Sequence, residues 1–113
     1  MITETIRFND NDYIIQIGKN ASENSHLIDI SSENDVWFHI KDLPSCHVVL
    51  KNNVPRFKNI PKQIIKRCGH LCKENSSCKN TKNVPVIYTF IYNVSKTDII
   101  GKVNANNVKN IVV

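Results

Sequence analysis

Asp35-Val36-Trp37-Phe38-His39-Ile40 puts three chemically capable side chains at alternate positions of one short apolar segment. In a strand, residues two apart share a face, so Val36, Phe38 and Ile40 would line a core while Asp35, Trp37 and His39 project together from the other side. An anion, an indole and an imidazole would then stand in a row. Trp37 offers stacking surface and His39 hydrogen-bonding nitrogens, the combination that unstacked nucleic-acid bases need. A plainer reading has Trp37 covering a neighbouring helix, with Asp35 and His39 bonded to each other or to backbone.

Two further groups invite an anion. Lys19 follows Gly18, and a glycine lets backbone amides approach a phosphate while a following helix points its N-terminus the same way. Lys62, Lys66, His70 and Lys73 recur at helical spacing on one face, helped by Arg56 and Lys58, and could track a phosphate backbone. An ordinary turn and a solvated helix face are the respective alternatives.

Other chemistries have less behind them. Cys68, His70, Cys72 and Cys78 with His39 or His47 could ligate zinc, but no cysteine pair has the two-residue spacing of a zinc finger, and Cys68 and Cys72 complete an apolar helical stripe. Asp35, His39 and His47 could serve as acid, base and orienter. They have no evident nucleophile, and the chain lacks a Gly-x-Ser-x-Gly elbow and a P-loop. A covalent role for Cys46 beside His47 would need an exposed thiol near a basic group.

Strand and helix signals along the chain place these groups. Thr5 to Phe8 and Tyr13 to Ile17 flank Asn9-Asp10-Asn11-Asp12 as a hairpin, and Gly18 ends the second strand. Asn20 to Ile30 suits a short helix with Ser22 as N-cap, the alternative being a turn and a loop. Val36 to Ile40 and His47 to Leu50 form a second hairpin around Pro44. Ile60 to Asn75 is the clearest helix, with Ile64, Ile65, Cys68, Leu71 and Cys72 on one stripe. Pro85 to Tyr92 reads as a long strand, followed by short ones near Ile99 to Val103 and Val108 to Val113. Strands dominate without regular strand-helix alternation, which predicts an α+β single domain over 1–113, with a mainly antiparallel sheet, one long helix and one short one.

At 113 residues the chain has room for one core. Acidic residues interrupt the first twenty positions, so neither a signal peptide nor a membrane span is expected. Free thiols in a reducing, intracellular and cytoplasmic setting are the reading of the four cysteines. The net charge of +5 is uneven: three Lys and Arg stand against eight Asp and Glu from Met1 to Leu50, and twelve against two from Lys51 onward. Such asymmetry suits a polyanionic partner for the second half.

Gly18-Lys19-Asn20, Glu23-Asn24, Asp35-Val36-Trp37-Phe38-His39-Ile40 and, after Pro44, His47-Val48-Val49 resemble the NFACT-R domain family. The likeness continues in order through Ile60 to Lys73, Val86-Ile87-Tyr88-Thr89, Lys96 and Gly101-Lys102-Val103, and is greatest to the small single-domain branch through Ile60-Pro61-Lys62, Cys68, His70-Leu71 and Asn83-Val84. The resemblance implies a non-catalytic RNA-binding domain, found in large proteins that recognise stalled large ribosomal subunits with peptidyl-tRNA and in small relatives. It marks Gly18, Lys19, Asn20, Asp35, Trp37, His39 and His47. The amino-terminal module and coiled coil of the large members and the charged helical tail of the small ones have no counterpart in these residues, so activities that need them are not expected. Ser45 replaces a glycine usual in the large members.

The expectation is therefore a nucleic-acid-binding domain whose contacts include Lys19, Asn20, Trp37, His39, His47, Lys62, Lys66 and Lys73, with no cofactor, no metal and no membrane. RNA, as tRNA or ribosomal RNA, is the expected ligand and DNA the alternative. Ribosome- or translation-associated proteins are further partners, and the rival function is a protein-docking module that binds no nucleic acid itself.

Overall fold

The computed structural model describes residues 1–113. Strands β1 (Ile2–Phe8) and β2 (Asn11–Gly18) form the first hairpin. Its two-residue turn, Asn9-Asp10, has φ of +49° and +63°, the left-handed geometry that matches strand twist and that Asn and Asp tolerate best. Helix α1 (Ala21–Ile30) follows, then β3 (Val36–Ile40), β4 (His47–Leu50), α2 (Lys62–Glu74) and β5 (Pro85–Phe90). The chain finishes with β6 (Val94–Lys96), β7 (Val103–Ala105) and β8 (Lys109–Val112).

Six strands make one antiparallel sheet in the order β1-β2-β4-β3-β5-β8, while β6 and β7 pair separately. The predicted α+β class is what forms. The alternation in β3 sets the layers. Val36, Phe38 and Ile40 face α2 and join Ile15, Ile17, Val48, Leu50 and Val86 with Ile64, Ile65, Cys68, Leu71 and Cys72 in the main core. On the opposite face Trp37 and Val49 pack with Leu27 of α1 and Ile91, flanked by Val94, Val103 and Ala105 of the small β6–β7 sheet. No helix is long and apolar enough to cross a membrane.

Two local expectations change. Asn20, not Ser22, caps α1: it is extended at φ −145°, ψ 171°, and its side-chain oxygen accepts the Glu23 N–H at 2.9 Å, while Glu23 Oε1 accepts the Lys19 N–H at 3.0 Å. Both residues are cap formers, and Asn20 wins because Glu23 then lies three residues on and can reach back over the first turn. The strand expected over Ile99 to Val103 starts only at Val103. Ile99 to Gly101 instead turns the chain, bringing β7 back against β6, an element the sequence reading lacked.

Gly101 is required at that turn. Its φ is +81°, and an added Cβ would lie 2.7 Å from Ala21 Cα and 2.8 Å from Ala21 Cβ. The turn is thus pressed onto the first residue of α1. Gly101→Ala should cost about 1–3 kcal/mol through backbone strain alone, with the clash added. A urea midpoint equal to wild type would show that the turn does not rest on α1.

Candidate functional site

A cleft of about 950 Å³ opens between the start of α1, the β3–β4 loop and the β6–β7 turn. Of the positions expected to bind, it gathers Lys19, Asn20, Trp37, His39 and His47. Trp37 and His39 stand on the outer face of β3, and His47 opens β4 opposite Gly18 of β2. Their rings form one packed trio. Trp37 stacks on His39 with centroids 5.5 Å apart and planes 13° off parallel, and His47 meets both edge-on at 5.5 and 5.3 Å.

Exposure decides what each ring can do. Trp37 and His47 are each only 2 % exposed, while His39 stays partly open. A base cannot stack on Trp37, because His39 takes one part of the indole and Leu27, Val49 and Ile91 pack against the rest. The plainer reading of the tryptophan holds: it lies under α1 and forms the cleft floor. His39 is the ring that a ligand can touch.

Burial favours the neutral form of both imidazoles. Burial lowers the His39 pKa, with its bond to the Ile40 carbonyl offsetting part of the effect, and burial followed by the neighbouring His39 pulls His47 down to about 4. His39 Nδ1 lies 2.6 Å from the Ile40 carbonyl oxygen, which can only accept, so Nδ1 carries the proton and Nε2 keeps its lone pair. No protein group bonds that Nε2. Trp37 Nε1 and His47 Nδ1 are buried without a hydrogen-bond partner, an unfavourable state in a low-dielectric floor.

The flanking motif residues are committed to structure. Asn24 sits directly on Gly18, where an added Cβ would be 2.6 Å from Asn24 Oδ1, and the same oxygen accepts the His47 N–H at 3.1 Å. Gly18 therefore lets α1 dock; its φ is not positive, and the helix end beside it already holds the Glu23 carboxylate. Asn20 commits its side-chain oxygen to the cap, and its amino group forms no hydrogen bond within the chain. Ser45 supplies a hydroxyl where glycine would leave a gap, accepting the Ile40 N–H at 3.2 Å and donating to the Cys46 carbonyl at 2.9 Å.

Asp35 leaves the expected row. It precedes β3, is 2 % exposed, and its carboxylate accepts from the Ser32 and Asn52 N–H groups at 2.8 and 2.9 Å and from Lys51 Nζ at 3.0 Å. It ties three segments together and does not meet His39. An Asp35, His39, His47 acid-base relay is thus not assembled. Cys68 and Cys72 lie in the main core, where burial pushes both thiols up, and His70 is exposed on the other side of α2. No three His, Cys, Asp or Glu side chains converge as metal ligands.

The remaining expected contacts lie elsewhere. Lys62 and Lys66 are exposed on α2, across the sheet from the cleft, and Lys73 Nζ donates to the Val113 carbonyl at 3.3 Å. Sequence reasoning missed Leu43, Ile99, Ile100 and Lys102, all of which line the cleft. A glycine after the apolar pair Ile99-Ile100 was the available signal for a turn there.

The profile of the family described as NFACT protein RNA binding domain matches residues 3–105. Coiled-coil domain-containing protein 25 from Bos taurus is 40 % identical over 92 residues, covering 79 % of this chain and 44 % of that protein. The Rqc2 homolog RqcH of Bacillus subtilis is 34 % identical over 83 residues, covering 73 % of this chain and 14 % of that protein. The chain therefore spans less than half the length of these curated relatives. A solved structure, the C-terminal part of the fibronectin/fibrinogen-binding protein from Streptococcus suis, superposes with a TM-score of 0.84 at 24 % identity, over 98 % of this chain and 45 % of that one, a likeness of fold.

Proposed function

The chain belongs to the family of NFACT protein RNA binding domains, and from that premise we propose that it binds RNA non-catalytically through the cleft over Trp37, His39 and His47. The observation that carries this reading is the set of polar groups left free there. Lys19 and Lys102 form no ion pair, as is true of most lysines in the chain, and what sets these two apart is that they line one cleft together with Asn20 and His39. His39 Nε2 adds an unpaired acceptor in the same cleft. Phosphates would be held by Lys19, Lys102 and the Asn20 amino group, with Trp37 and His47 shaping the floor.

Likeness to the Rqc2 homolog RqcH supports RNA binding in a role linked to ribosome quality control; within that reading the ligand we propose is tRNA or ribosomal RNA, bound beside translation-associated proteins. Lys62 and Lys66, with Arg56, Lys58 and Lys109, would track a second stretch of backbone on the α2 side. Residues 52 to 73 contain no carboxylate, which favours a polyanion there. Lys73 would contribute at the edge of that surface.

Salt-titrated binding to labelled tRNA, single-stranded RNA and duplex DNA tests the reading. Wild type should lose affinity steeply as salt rises and should prefer RNA. Lys19→Ala with Lys102→Ala, and separately Lys62→Ala with Lys66→Ala, should each reduce the log–log salt slope by about 1–2. If no nucleic acid binds even at low salt, the chain is a protein-docking module instead.

A further inference from the structure

The rim of the cleft is apolar and open. Leu43 is 47 % exposed, Ile99 55 % and Ile100 62 %, although each could have been polar at no cost to the core. The two isoleucines are held there by geometry. Gly101 rests on Ala21, so the β6–β7 turn cannot swing freely and presents Ile99 and Ile100 from a fixed base at the cleft mouth.

That contact also fixes where the positive charge lies. Lys102 follows Gly101, and Lys19 lies two residues before Ala21, so both cations belong to the same end of the cleft as the turn. Asp42, in the β3–β4 loop, is the one carboxylate residue in the lining. The floor offers the His39 Nε2 lone pair, an acceptor for an N–H at the edge of a ligand.

A ligand that answers all of these needs a flat apolar face, N–H donors on its edge and an anion nearby. A double helix answers only the lysines, because its base faces are stacked and its base edges paired, leaving phosphate outermost. An apolar peptide would cover the isoleucines but leave both lysines without a counter-charge. An unpaired nucleotide uses every group, as proteins that select single-stranded RNA do.

We propose that the cleft receives one unpaired nucleotide of the bound RNA, its base between Ile99, Ile100 and Leu43 with its edge toward His39, and its phosphate at Lys19 and Lys102. This rests on the RNA-binding reading above. It adds that the cleft discriminates single-stranded from duplex RNA, which the lysines alone would not do.

Trp37 is the only tryptophan in the chain and stacks on His39, so its fluorescence reports on the cleft floor. The probes are a labelled single-stranded RNA heptamer, the same strand annealed to its complement, and labelled tRNA as a control for RNA binding in general. The proteins are the wild-type chain of residues 1–113 and Ile99→Ser/Ile100→Ser, whose changes fall on exposed side chains and leave the lysines in place.

The single strand should shift Trp37 emission and bind about tenfold or more tighter than the duplex, and the double variant should lose about tenfold for the single strand. Equal affinity for single strand and duplex, or a double variant that binds the single strand like wild type, overturns the nucleotide proposal while tRNA binding keeps the RNA reading intact. If wild type binds none of the three probes, the RNA reading falls and takes the proposal with it.

Discussion

Trp37→Ala is expected to cost about 3–5 kcal/mol of folding stability, a loss far larger than that of any stacking contact it could make with a ligand. The indole is 2 % exposed and packs against Leu27, Val49 and Ile91, with His39 along one side and His47 at its edge. Truncation would leave a cavity beneath α1 and release both imidazoles. Against a total stability of about 5–15 kcal/mol for a domain of this kind, that is a large fraction. Trp37→Phe keeps most of the volume and should fall well short of the alanine loss.

Urea unfolding followed by circular dichroism measures this directly. If Trp37→Ala unfolds at the wild-type midpoint yet no longer binds RNA, the indole is an open platform after all and the floor has been placed wrongly. The consequence for binding work is practical: RNA affinity of the alanine variant is interpretable only at temperatures where it remains folded. Variants of Lys19, Lys102, Ile99 and Ile100 avoid the difficulty because their side chains reach solvent.

Acid should destabilise the fold through His47. In the folded chain its pKa lies at about 4, whereas an unfolded histidine titrates near 6.5. Between those values the unfolded chain takes up a proton that the folded chain refuses, so stability is full above about pH 6.5 and declines as pH falls toward 4. The shift corresponds to about 3 kcal/mol by the lower end of that window, beyond which His47 contributes no further loss. His39, also lowered, acts in the same direction.

His47→Phe removes the titrating group and keeps a ring of similar size. Its unfolding midpoint should therefore change less between pH 7.5 and 4.5 than that of wild type. Identical pH profiles for the two proteins would mean that the imidazole is hydrated rather than sealed. The backbone N–H of residue 47, which bonds Asn24, is unaffected by the exchange.

Several local features were readable because they depend on neighbours in the chain. The Asn9-Asp10 turn, the alternation through β3 and the apolar stripe of α2 are each set within about ten residues by backbone geometry and periodicity. The capping residue was not, since Asn20 and Ser22 have similar side-chain chemistry and only the reach of Glu23 separates them. Asp35 was placed in a row with Trp37 because alternation was carried one residue too far. The strand begins at Val36, and the carboxylate turns to the Ser32 and Asn52 amides.

By itself the sequence determined the α+β class, the two faces of β3, the amphipathic α2, the basic second half and the motif residues that mark the family. Tertiary structure alone decided which face would be sealed and which left open. Periodicity separates two faces of a strand but says nothing of what packs on either. Trp37 is closed by α1, Val49 and Ile91, and the rim comes from Leu43, Ile99 and Ile100, segments that share no local signal with β3. For the same reason the lysines divide between the cleft and the α2 side: charge is counted along the chain, but the sheet lies between the two surfaces.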